Sequence, residues 1–170
     1  MQSIQTVSEN TIYVGASDRR LAKFENLFPI PRGVSYNAYV ILDEKTALLD
    51  TADASVGAQF LENVAAALDG RKLDYLIVDH MEPDHAAMIE AVLVRWPDLR
   101  LVVNAKTLPM LKMYFPTDNA AIDDALVVKE GDTLDLGKHK LTFVMAPMVH
   151  WPEVMMTFDT TTGTLFSADA

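Results

Sequence analysis

The apolar run Leu73-Asp74-Tyr75-Leu76-Ile77-Val78-Asp79 has strand character and leads directly into His80-Met81-Glu82-Pro83-Asp84-His85. Residues 84–96 then follow as an amphipathic stretch with helical spacing. A strand, a short loop and a helix are therefore expected in that order. Four of the six side chains in the loop can bind a metal, and strand-to-helix loops are where a rigid scaffold commonly displays functional groups.

The rest of the chain fits around this unit. Residues 11–14 read as a short strand, and residues 34–42 and 46–50 as a hairpin about the polar turn Asp43-Glu44-Lys45. Residues 28–33, with two prolines, are expected to be loop. Val56, Phe60, Leu61, Val64 and Leu68 follow helical spacing up to a stop at Asp69-Gly70. A strand at 75–78, a helix at 84–96, a strand at 101–104 and a helix at 107–114 give a βαβα rhythm, which packs helices on a sheet. The last third changes character. Residues 125–128, 133–136, 141–146, 154–158 and 164–168 read as antiparallel strands punctuated by Gly131, Gly137 and Gly163. No glycine-rich phosphate loop follows the first strand, so a mixed α/β (α+β) sandwich is expected rather than a doubly wound nucleotide fold.

Composition narrows the classes of function. Half of the 170 residues are hydrophobic, enough for one domain over residues 1–170 with a substantial core. No apolar run approaches the ~18 residues of a membrane span. Residues 1–5 show no basic-then-apolar leader, which together point to a soluble, cytoplasmic protein with no membrane partner. The absence of cysteine excludes disulfides, thiolate zinc sites, iron–sulfur clusters and a cysteine nucleophile. A formal charge of −10 argues against nucleic acid as a partner.

His80 and Glu82 share one parity, whereas Asp84 and His85 open the next helix and face another way. This arrangement suits two metals rather than one. Two close cations need a shared anionic bridge, and Asp169, at a later strand end, is the foremost candidate. The bland alternative is a solvated loop in which Asp84 caps the helix beside it. His150, next to Trp151, is either a ligand or a structural histidine, and Trp151 either shields the site or packs. His139, in the charged turn Gly137-Lys138-His139-Lys140, reads as surface. The methionines, among them Met88, Met110, Met113 and Met145, read as core filler. Met81 and Met148 stand beside ligand candidates and either line the pocket or, like the others, pack.

Five spaced blocks carry a family resemblance: residues 31–39, residues 47–51, residues 80–85, His150-Trp151-Pro152-Glu153, and residues 165–170. Together they resemble the N-terminal metallo-β-lactamase-like domain of flavodiiron proteins, also called A-type flavoproteins, over almost the whole chain. The wider superfamily of hydrolases carries His-x-His-x-Asp-His; this sequence carries His-x-Glu-x-Asp-His. The resemblance implies an αββα sandwich, incomplete at the C-terminus. It implies that His80, Glu82 and His150 bind one iron, that Asp84 and His85 bind a second, and that Asp169 bridges them. Asp50 would orient the ligand loop without touching metal; the plainer alternative is a turn residue. A further family histidine, well downstream, lies past the last residue of this sequence, which reads as a fragment. Some members carry a histidine near the position of Glu25, absent here.

The resemblance further implies a function. A hard anionic oxygen from Glu82 in place of a neutral imidazole favours iron over zinc. Two irons suit reduction of dioxygen to water or of nitric oxide to nitrous oxide. In the family, electrons arrive through FMN in a flavodoxin-like domain, which is absent from these residues, within a head-to-tail homodimer. Rubredoxin or a flavin reductase would be the donor. The competing readings are a dinuclear zinc hydrolase of the metallo-β-lactamase superfamily and a truncated, non-catalytic metal-binding scaffold.

Overall fold

Alternation along the central strands sets the layering. Val40, Leu48, Leu76, Leu101 and Val103 bury toward one side, while Ile41, Ala47, Leu49, Ile77 and Val102 bury toward the other. That is the period of two expected of strands covered on both faces. The computed structural model describes residues 3–24, 26–115 and 120–170. Its first strands are β1 (Gln5–Ser8), β2 (Thr11–Tyr13), β3 (Ala16–Asp18), β4 (Lys23–Phe24), β5 (Phe28–Pro29) and β6 (Val34–Tyr36). The hairpin β7 (Tyr39–Leu42) and β8 (Thr46–Leu49) follows, then helix α1 (Gly57–Leu68) and strand β9 (Tyr75–Ile77). Helices α2 (Pro83–Ala86) and α3 (Ile89–Arg95), strand β10 (Arg100–Asn104), and helices α4 (Thr107–Tyr114) and α5 (Ala120–Asp123) complete the middle. Strands β11 (Leu126–Val128), β12 (Thr133–Asp135), β13 (Lys140–Met145), β14 (Met155–Asp159) and β15 (Thr164–Phe166) end the chain.

A seven-stranded sheet runs β1-β2-β7-β8-β9-β10-β11, and an antiparallel four-stranded sheet runs β12-β13-β14-β15. Phe60, Val64, Ile89, Val92 and Leu111 from the helices pack on one face of the larger sheet. The smaller sheet packs Leu134, Leu141, Phe143, Met155 and Phe166 on the other. The result is helices, sheet, sheet: the mixed α/β sandwich that the sequence implied. On its outer face the smaller sheet leaves Val144, Met156 and Phe158 half-buried and Leu165 exposed.

Five expectations about elements need correction. The stretch 34–42 is two strands: β6 leaves to pair with β3, and only β7 forms the hairpin with β8. Residues 28–29 are not pure loop but a two-residue ribbon with β4, short enough that the missing proline donor costs little. The helix expected over 84–96 breaks at Ala87-Met88. There the carbonyl of His85 accepts from the amide and hydroxyl of Thr51 (2.8 and 2.6 Å), and the Thr51 hydroxyl accepts from the Met88 amide (3.3 Å). Strand β11 pairs with β10 in parallel, not antiparallel. Met113 is 80% exposed rather than core.

His139 is the sharpest departure. It is fully buried, with Nδ1 2.8 Å from Asp159 Oδ2, tying the β12–β13 turn to the end of β14. Burial pushes the Asp159 carboxyl up, but hydrogen bonds from Thr162, His139 and the Thr161 amide outweigh it and hold its pKa below the usual range. A depressed carboxylate stabilises the fold above its unfolded pKa, near ~3.9, and that contribution is lost as pH falls through the lower folded value. The stability gap between the native chain and Asp159→Asn, read from urea midpoints, is therefore expected to be full at neutral pH and to narrow below about pH 4. A gap independent of pH would contradict this role.

Candidate metal centre

The parallel neighbours β8 and β9 run into polar residues that meet at one place. β8 ends on Asp50, which takes a left-handed backbone conformation (φ 54°) and turns its carboxylate toward the end of β9. There Asp50 Oδ1 accepts from the Asp79 amide (2.7 Å) and the His80 amide (3.4 Å), while Oδ2 lies 2.9 Å from His85 Nδ1. Asp50 is thus buried and hydrogen-bonded to both ends of the 79–85 segment. β9 continues into His80, and Pro83 starts α2, whose first turn carries Asp84 and His85. Asp84 sits inside that helix, which has no side-chain cap, so it does not cap it.

The turn after β13 brings His150, and the end of β15 brings Asp169. Both approaches use residues with positive φ, Met148 (69°) and Ala168 (47°), a conformation unusual for residues other than glycine and one that clusters at functional sites. Glu82 Oε2 lies 3.1 Å from His80 Nε2 and 3.0 Å from His150 Nε2. Asp169 Oδ1 lies 2.9 Å from His85 Nε2, and Asp169 Oδ2 lies 3.9 Å from His150 Nε2. Two clusters result, His80-Glu82-His150-Asp169 and Asp84-His85-Asp169, with the ligand atoms of each within 4.8 Å of one another. Asp169 belongs to both, one oxygen toward each.

The electrostatics fit cations. Burial raises the Asp84 pKa, with the charges of Asp169 and Glu82 adding to it. Asp84 Oδ1 is buried and has no hydrogen-bond partner among the described residues. Burial opposes charging of His85, yet Asp169, Asp50 and Asp84 prevail and push it up to about 11. Asp79, fully buried behind them, is raised by burial and then by Asp50. So many carboxylates packed around three imidazoles repel one another, and bound cations offset that repulsion. The donor set of three imidazoles and three carboxylates, with no sulfur, suits a first-row transition metal.

Two hollows reach the centre. One of about 330 Å³ is lined by Tyr36, Asp50, Asp84, His85, Phe166 and Asp169; the other, about 390 Å³, by Phe24, Asn26, Tyr36, Asp53, Glu82 and Asp84. Met81 is buried and Met148 is exposed, and neither lines either hollow. Trp151 packs edge-on against the His80 ring at 5.3 Å. The position of Glu25 lies outside the described residues. Sequence reasoning gave no role to Glu153, buried beside His80, or to Asp79, held by the Thr157 hydroxyl at 2.8 Å. The one signal for Glu153 was its place three residues after His150 in a matched block.

Comparison with known proteins agrees with this architecture. The model described as ODP family beta lactamase matches residues 34–170. The anaerobic nitric oxide reductase flavorubredoxin of Klebsiella pneumoniae is 37% identical over 168 residues, covering 96% of this chain and 34% of that protein. Among solved structures, the flavodiiron protein of Giardia intestinalis superposes with a TM-score of 0.88 at 26% identity, over 98% of this chain and 40% of that one. The rubredoxin oxygen:oxidoreductase of Desulfovibrio gigas gives a TM-score of 0.86 at 31% identity, over 92% and 38% respectively. The chain spans about a third of the length of the curated relatives it matches.

Proposed function

This chain belongs to the ODP beta-lactamase family, among flavodiiron proteins, and on that premise we propose that it is the metal-binding domain of a diiron reductase. His80, Glu82 and His150 would hold one iron, Asp84 and His85 the other, and Asp169 would join them. The observation that carries this reading is the sharing of Asp169 between two clusters, one oxygen directed to each. Bound as a pair, two ferrous ions would supply two electrons, enough to couple two nitric oxide molecules; dioxygen to water takes four, the other two coming from the electron donor.

The chain's own residues have separable tasks. Glu82 sets an anionic oxygen between two imidazoles, which favours iron over zinc. The Asp50 carboxylate accepts a hydrogen bond from His85 Nδ1 and so presents Nε2 to the centre. The two hollows give a small substrate access from the His85 side and from the Glu82 side.

Reduction of dioxygen to water, of nitric oxide to nitrous oxide, or of both is the activity proposed. Support comes from a nitric oxide reductase among the relatives and an oxygen oxidoreductase among the structural neighbours. Electrons would come through FMN in a flavodoxin-like domain of a head-to-tail dimer, fed by rubredoxin or a flavin reductase. In this proposal residues 1–170 are part of a metallo-β-lactamase-like domain, and the apolar outer face of β13–β15 is where a second helical layer would pack.

Nitric oxide offers a self-contained test, because two molecules of it, two electrons and two protons give one nitrous oxide and one water. The chain loaded anaerobically with ferrous iron is expected to form one nitrous oxide for every two irons oxidised. Stoichiometric zinc with hydrolytic turnover and no retained iron would place it with the zinc hydrolases. No retained metal of either kind would make it a scaffold.

A further inference from the structure

We infer that Glu153 is a positioning residue for the first metal subsite, holding the His80 imidazole so that Nε2 faces the centre. The inference rests on the metal-centre reading above and goes beyond its ligands. Glu153 is 1% exposed, and its Oε1 accepts from His80 Nδ1 at 2.8 Å and from the Met81 amide at 3.0 Å. With the Nδ1 proton engaged, the lone pair of His80 lies on Nε2, on the side of Glu82. The main-chain carbonyl of Glu153 accepts from the Asn104 amide group, which fixes the acid to the end of β10.

Two features separate this contact from ordinary core pairing. It mirrors the other subsite, where Asp50 takes Nδ1 of His85 at 2.9 Å, so each buried histidine of the centre has its own carboxylate behind it. Glu153 also stands on the turn that supplies His150, so one segment delivers a ligand to the first subsite and orients another. A shift of that turn would move both together. Because Glu153 touches no second-subsite residue in any contact described, its removal is expected to act on one metal and spare the other.

Cobalt(II) titration of the intact chain, followed by its visible absorption, tests this. The native chain is expected to take two equivalents. Glu153→Leu should weaken one of them by up to about a hundredfold, and Glu153→Gln, which keeps an oxygen acceptor but loses the charge, by about tenfold. The other equivalent should stay within about threefold, since a change confined to one outer partner leaves the separate subsite's own support in place. Unchanged binding in both variants, or equal weakening of both equivalents, would overturn the assignment. Should Glu153→Leu not fold, Glu153→Gln alone decides it by the same site-selective loss. Absence of cobalt binding by the native chain would instead overturn the metal-centre reading itself.

Discussion

Asp169→Ala is expected to take the chain from two bound metals to at most one. Asp169 is the residue common to both clusters, with one carboxylate oxygen 2.9 Å from His85 and the other 3.9 Å from His150. Its removal leaves Asp84 and His85 as the described donors of the second subsite and withdraws the anion that screens the two cations from each other. Loss of a group behind a ligand commonly weakens metal binding 10- to 100-fold, so loss of a shared ligand should exceed about a hundredfold at the second subsite. The first subsite keeps His80, Glu82 and His150 and should weaken less. The fold should tolerate the change, because the Asp169 side chain is 38% exposed and relief of its repulsion with Asp84 partly offsets the lost contact with His85. Metal content by mass spectrometry, read beside the thermal unfolding midpoint, checks both halves. Two tightly held metals in the variant would remove Asp169 from the bridge.

Glu82→His is expected to change which metal the chain prefers. Glu82 is buried, and its Oε2 sits between the Nε2 atoms of His80 and His150. Exchanging it for imidazole removes one negative charge and the hard oxygen donor, and it restores the His-x-His-x-Asp-His pattern of zinc hydrolases. Competition between ferrous iron and zinc should then shift toward zinc by about tenfold or more relative to the native chain, at the lower end of what changes around metal ligands produce. Nitrous oxide formation by the iron-loaded variant should fall with it. An unchanged iron-to-zinc ratio would mean that Glu82 does not set the metal.

Much of this was legible because the site is local. His80, Glu82, Asp84 and His85 lie within six residues, and a strand before the first with a proline-started helix carrying the last two leaves little freedom in where they point. The central strands were legible because burial on both faces makes them apolar throughout. What stayed hidden depends on partners distant in sequence. The direction of β11 does not alter its period, so nothing in residues 125–128 distinguishes a parallel from an antiparallel neighbour. The break in the helix after His85 comes from Thr51, 34 residues earlier, which takes the carbonyl that a continuous helix would use. His139 looked like surface because lysines flank it; Asp159, 20 residues on, is what allows it to be buried. Glu153 was invisible as a partner of His80 for the same reason, being 73 residues further on.

The central claim is that Asp169 joins two irons on these residues. Mössbauer and EPR spectra of the native chain, loaded anaerobically with iron and then partly oxidised, test it most directly. Two irons per chain with their spins magnetically coupled, and coupling lost in Asp169→Ala, is the expected result. A single iron, or two irons whose spectra show no coupling, would contradict it.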